Sequence, residues 1–172
     1  MFAARILCCL ALALVGLAPA THAADEAAIQ ALLRKEGLGA LHLDQSEREV
    51  IKLLGKPEKE GKLTRQEADA TYVQQWEFPS KGLSLLMSAG PKKNGARTIA
   101  AITARAPCPF ATQRGIKIGD AESAPRKAYA AVADRESPAE RGAFVAGSIY
   151  GGIIFNFEHG KVSRIFIGAG AE

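Results

Sequence analysis

The frame Leu41-His42-Leu43-Asp44-Gln45-Ser46 is met again, more loosely, at Ile116-Lys117-Ile118-Gly119-Asp120-Ala121. Its apolar pair is displaced by 75 positions in both members (41 to 116, 43 to 118), and Leu54 falls on Tyr129 at the same spacing. A chain that repeats its own punctuation at one period is built from copies of one supersecondary unit, so the second half is expected to follow the first.

The first copy is the clearer one. Asp25 caps a helix that carries Ile29, Leu32 and Leu33 on one face and stops at Gly37. Ser46 and Glu49 have the spacing of a capping box; Val50, Leu53 and Leu54 form a buried stripe; Gly55 and Pro57 end this second helix. Alternation follows, with Tyr72, Trp76 and Phe78 on one face of a strand, Leu83, Leu85 and Met87 on one face of the next, and Gly82 at the turn. A run rich in β-branched and small residues, Thr98 to Ala104, is the third strand.

In the second half, strands are expected at Ala143 to Tyr150, Ile153 to Phe157 and Val162 to Ile167, with turns at Gly151-Gly152 and His159-Gly160. Pro125 stands where the first copy has Val50; proline is tolerated only in a helix's first turn, which puts the helix start near Ser123. The expected fold is α+β: two tandem helix-helix-antiparallel-strand units, residues 24–106 and 107–172, with the helices packed on one face of the sheet.

Ahead of these units stands a leader. Arg5 is the only charge before Asp25; it precedes the apolar run Ile6 to Leu17, which Ala18-Pro19-Ala20 breaks. That is the grammar of a cleavable signal peptide, residues 1–23, with Ala23 at the cleavage site. The run falls short of the roughly 20 apolar residues a membrane span needs. No stable span is expected after cleavage, and no cysteine is placed for a lipid anchor.

Cleavage removes Cys8 and Cys9, so Cys108, between Pro107 and Pro109, is left without an intramolecular disulfide partner and reads as a semi-buried small residue. With 48% hydrophobic and 23% charged residues the chain has globular proportions. Its net charge of +4 falls to +3 when Arg5 is lost, and no aromatic residues interleave the basic cluster Lys92, Lys93 and Arg97. A nucleic-acid partner is therefore not expected.

The stretch Thr112-Gln113-Arg114-Gly115-Ile116-Lys117-Ile118-Gly119-Asp120, with Tyr129 following, resembles the loop-to-helix signature of the β-lactamase-inhibitor-protein-like and SmpA/OmlA-like exported proteins. The frame at Leu41 to Ser46, with Val50, Leu54-Gly55 and Pro57, has the same form. The chain departs from that pattern at Pro125 and at Ala130, the counterpart of Gly55. The resemblance implies paired helix-helix units backed by antiparallel strands, and a periplasmic or secreted location. Such proteins mostly bind other proteins, as inhibitors or envelope-assembly components, through a sheet face or loops; their targets and contact residues do not transfer.

Chemistry-bearing motifs are sparse. His42 and His159 read as an exposed strand position and a hairpin turn, and one cysteine with two distant histidines has no metal-ligand spacing. Ser137-Pro138 and Ser80-Lys81-Gly82 are loop chemistry, Gly151-Gly152 precedes a strand and not a phosphate-binding helix, and Asp120 reads as a helix cap. No catalytic residue, metal or cofactor is expected.

The functional expectation is an exported, non-enzymatic protein-binding module, inhibitor-like or envelope-assembly-like, whose partner is another envelope or extracellular protein. Aromatic anchors dominate such surfaces, which makes Tyr72, Trp76 and Tyr150 the candidate binding residues, although Phe78 continues Trp76's face and favours a core position for that ring. The alternative is a carrier or sensor holding a small apolar ligand in a groove lined by Phe155, Phe157 and Leu85. An enzyme would need Cys108 or Asp120 beside one of the histidines.

Overall fold

The computed structural model describes residues 27, 29, 31–67, 69–134, 142–148 and 150–169. The leader, the Asp25 cap and Ser137-Pro138 lie outside the described residues. Helical backbone runs through 31–35 (α1), and a two-residue hairpin follows, Gly37–Leu38 (β1) against Leu41–His42 (β2). Then come α2 (Glu47–Leu54), the short strands β3 (Lys59–Glu60) and β4 (Thr64–Arg65), and the long strands β5 (Tyr72–Phe78), β6 (Leu83–Ser88) and β7 (Thr98–Arg105). The second half holds α3 (Ser123–Ala128), β8 (Ala143–Ser148), β9 (Gly151–Glu158) and β10 (Lys161–Gly168).

One antiparallel sheet of eight strands organises the molecule, in the order β3-β5-β6-β7-β10-β9-β8, with β4 also pairing β5. The meanders β5-β6-β7 and β8-β9-β10 meet through their last strands, β7 against β10. Alternation explains the inner face: Trp76 pairs Leu85, Phe78 pairs Leu83, and Leu85 pairs Ile102 in turn. Gly82 turns the β5-β6 hairpin with φ +60, a conformation that disfavours any side chain, and a Cβ there would run into the Arg105 carbonyl.

The two central strands do not alternate strictly, and both solve this the same way. In β7 the apolar residues Ile99 and Ile102 are an odd number of positions apart, as are Val162 and Ile165 in β10. The register shifts at Leu86/Met87 in the β6-β7 pairing, and at Val162/Arg164 in the β9-β10 pairing. Each bulge adds one residue, so that both apolar side chains reach the inner face, where all four are fully buried.

Helix-helix units packed on a sheet are not what forms. The protein is mostly β, with one eight-stranded sheet and few short helices. Among the described residues the second half has one α-helix, six residues long, followed by a 3₁₀ turn at Ala130–Val132. The stretch from Cys108 to Ala111 runs as loop, with Pro107 and Pro109 each biasing the residue before it away from helical backbone. Leu38 and Leu41 of the β1-β2 hairpin and the loop side chains Cys108 and Ile116 cover the inner face together with Val50 and Tyr129.

The α2 capping box forms as its spacing requires: Ser46 accepts from the Glu49 N–H, and the Glu49 carboxylate accepts from the Ser46 N–H at 2.9 Å. The Ser46 hydroxyl, which donates to the same carboxylate at 2.6 Å, and then the Ser46 N–H hold the Glu49 carboxyl below its ordinary pKa. The stripe is narrower than expected, because Val50 is buried and Leu54 half-buried whereas Leu53 is 47% exposed. In α3, Pro125 occupies the first turn and is itself buried.

Candidate functional site: the open face of the sheet

Residues of opposite parity to the core turn to the other side of the sheet. Register places Ser84, Thr103, Phe166, Ile154 and Val145 in one row across β6, β7, β10, β9 and β8. Leu86 pairs Ala101 in the adjacent row. Leu86, Thr103, Ile154 and Phe166 are half-buried and stand outside the core cluster, so an apolar patch lies near the middle of a stiff surface. Its flank is polar: the Gln75 amide donates to the Ser84 hydroxyl.

A third row begins with two arginines. Arg105 of β7 is the direct cross-strand partner of Arg164 of β10, and Arg164 in turn pairs Asn156 of β9. The Arg164 guanidinium lies 5.2 Å from the Phe166 ring centroid, and its Nη1 donates to Asn156 Oδ1 at 3.3 Å. Its Nε is buried without a hydrogen-bond partner. Burial lowers the pKa of Arg164, and the charge of Arg105 lowers it further. A cleft of about 310 Å³ opens here, lined by both arginines with Asn156, Ser163, Phe157 and Glu158.

A second polar cluster lies in the covered layer. Glu36, 3% exposed, receives the Arg114 Nε–H at 3.2 Å and the Tyr129 hydroxyl at 3.1 Å. That hydroxyl also lies 2.9 Å from Thr112 Oγ1, the Arg114 guanidinium carbon sits 4.5 Å from the Tyr129 ring centroid, and Arg114 Nη1 donates to the Ala128 carbonyl. Burial raises the Tyr129 pKa far above the ordinary value, so the phenol keeps its proton. The cluster ties the chain after α1 to the chain around α3.

The three aromatic candidates are not brought together. Trp76 is 2% exposed in the core, where its indole N–H donates to Gln74 Oε1 at 3.1 Å, so it is no surface anchor. Tyr72 is half-buried at the start of β5, near one edge of the sheet. Tyr150 is 74% exposed in the β8-β9 turn at the other edge. Sequence reading passed over Phe166, Leu86, Ile154 and the arginine pair; the available signal was a charge inside an apolar strand run, Val162-Ser163-Arg164-Ile165.

The other reactive residue types are placed quietly. Cys108 is buried and its thiol pKa is raised by that burial, which keeps the nucleophilic thiolate scarce. Asp120 accepts from the Lys117 N–H at 2.8 Å, closing a turn, and α3 has no side-chain cap. His42 Nδ1 donates to the Leu43 carbonyl at 2.9 Å, and His159 lies in the β9-β10 turn with φ 52. Among the described residues no group of three His, Cys, Asp or Glu side chains is placed to hold a metal, and no helix is long and apolar enough to cross a membrane.

Comparison of the chain with protein-family models, with curated proteins and with solved structures finds no match.

Proposed function

We propose that the chain is an exported, non-enzymatic protein-binding module that engages another envelope or extracellular protein through the open face of its sheet. The observation that carries this reading is the half-exposed patch Leu86, Ile154 and Phe166, set on a paired, eight-stranded support. A rigid sheet orders few groups on binding, so little of the contact energy is lost to entropy. An apolar centre with a polar rim is the usual anatomy of such a contact. The leader points to a periplasmic or secreted location, and the resemblance to inhibitor-like and envelope-assembly-like proteins points the same way.

The carrier alternative is less favoured. It needs a cavity at Phe155, Phe157 and Leu85, whereas Phe155 and Leu85 are fully buried within one continuous apolar cluster.

The test is crosslinking of the tagged full chain in the envelope of the producing cell, with mass spectrometry of what is captured. A partner captured by the unaltered chain should be lost with Phe166→Ala and with Ile154→Arg, both keeping the far-ultraviolet circular dichroism of the parent. Capture that persists in both variants would sink the sheet-face reading.

A further inference from the structure

A cross-strand pair of like charges is destabilising, and strands ordinarily avoid it, yet Arg105 and Arg164 stand directly opposite one another. Here the pair is compounded. Among the described residues neither Arg105 nor Arg164 has a carboxylate partner, whereas Arg97 and Arg126 are ion-paired with Glu47 and Glu122 at 3.2 and 2.6 Å. Arg97 shares with Arg164 a buried Nε–H that is unmet, but of these two only Arg164 lacks an acid beside it. One guanidinium is partly withdrawn from water with a buried N–H left unmet. Sites that break a local rule with no internal compensation are where ligands are expected.

The contents of the cleft define what fits. Guanidinium groups present forked donors matched to a planar oxyanion. Asn156 and Ser163 add polar side chains at the same cleft, and the Phe166 ring backs one guanidinium face. Glu158 also lines the cleft and pairs with neither arginine. Among the described lining residues, two positive charges and one negative leave a net single positive charge, and Glu158 stands directly across from Lys161 of β10. A carboxylate balances that charge, whereas a phosphate dianion would overfill it and meet repulsion from Glu158.

We propose that the cleft at Arg105, Arg164, Asn156 and Ser163 is a receptor for one carboxylate, carried by an acidic side chain of the partner protein that covers the neighbouring apolar patch. The carboxylate site stands on its own geometry, and the protein as its source rests on the sheet-face reading. The two parts divide the work. The apolar patch supplies contact area, and the arginine pair fixes where on that patch an acidic residue must land.

The site is tested by NMR of the Arg164 Nε–H in the intact chain, titrated with acetate at constant ionic strength, with chloride and inorganic phosphate in parallel. A saturable shift with acetate is expected, weaker with phosphate, and weakened about tenfold or more by Arg105→Gln. Arg105→Gln should also raise the melting temperature of the ligand-free protein at low salt, which shows that it folds. No saturable shift, a shift unchanged by Arg105→Gln, or tighter binding of phosphate than of acetate would each overturn the carboxylate assignment.

The source is tested by repeating the envelope capture with the double variant Arg105→Gln, Arg164→Gln. The expected result is capture reduced about tenfold or more, with the lost partner peptide carrying Asp or Glu. Undiminished capture would remove the partner's carboxylate from the proposal and leave the sheet-face reading intact. If the unaltered chain captures no protein while acetate still binds, the sheet-face reading and the protein source both fail, and the cleft serves a free carboxylate.

Discussion

Glu36 and Arg164 are both charged side chains drawn at least partly out of water, and the molecule treats them in opposite ways. Around Glu36 the partners are present: a guanidinium and a phenol both donate to the carboxylate, a threonine hydroxyl meets the phenol, and Arg114 is itself held by the Ala128 carbonyl and lies over the Tyr129 ring. Around Arg164 the set of partners is open, with one amide oxygen at 3.3 Å, an orphaned Nε and a second arginine directly opposite. A buried charge with its partners present joins segments distant in sequence. Arg164, which has no carboxylate partner among the described residues, is the side chain on which the proposed carboxylate site rests. The contrast separates polar groups that serve the fold from those available for binding.

Four measurements press on that contrast. The largest effect is expected at the centre of the closed cluster, where Tyr129→Ala removes a fully buried ring and a bond to a buried carboxylate. We expect a loss of about 4 kcal/mol in urea unfolding; a loss under about 1.5 kcal/mol would mean the ring is not a packing centre.

Next comes Arg114→Ala. Taking a cation from a buried carboxylate costs about 3–5 kcal/mol in fully buried pairs, but Arg114 is 37% exposed, so about 2–3 kcal/mol is expected after allowance for solvent screening. A value near zero would show that Glu36 does not need its cation, and the cluster would no longer differ in kind from the open pair.

Tyr129→Phe isolates the hydroxyl and should cost about 1–2 kcal/mol at neutral pH. It also has a pH signature. The folded-state pKa of Tyr129 is raised, so the unfolded chain sheds this proton first as pH climbs through the ordinary tyrosine range, and stability falls from there upward. The Phe variant should lose that part of the alkaline slope. Identical slopes in the two proteins would mean that the hydroxyl is not held in its neutral form by the fold.

The smallest effect has the opposite sign. Arg105→Gln relieves the cross-strand repulsion and should stabilise the ligand-free protein by about 0.5 kcal/mol at low salt, with the gain shrinking as salt is added. Destabilisation would erase the contrast, because the arginine pair would then be serving the fold as Glu36 does.

What could be read along the chain was local. The capping box at Ser46 and Glu49 needs only two residues three apart, and it forms. Two-residue alternation located β5 and β6, and it gave the second-half strands to within a few residues, with Tyr150 falling in the turn and not in the strand. The short strands β3 and β4 escaped notice, since Lys59, Glu60, Thr64 and Arg65 are exposed polar residues that carry no apolar period. The bounds of α2 were legible, from the Ser46 cap to Gly55, but the width of its buried stripe was overestimated, because Leu53 fits an apolar period whether or not anything is packed against it.

By itself the sequence determined the alternation of β5 and β6, the capped start of α2 and the turns at Gly82 and His159-Gly160, and that the chain would bury Trp76's side of β5. By contrast, Gly151-Gly152, expected as a turn, lies in β9, and Asp120 caps no helix. Only the tertiary structure decided that two meanders close through β7 and β10, because that pairing joins Arg105 to Arg164 across 58 intervening residues and depends on a bulge in each strand. The physical reason is the range of the interactions. Caps, turns and pleat are set by neighbours one to four residues apart. Which face is covered, and which charges meet on the face that is not, depends on contacts whose partners no local pattern names.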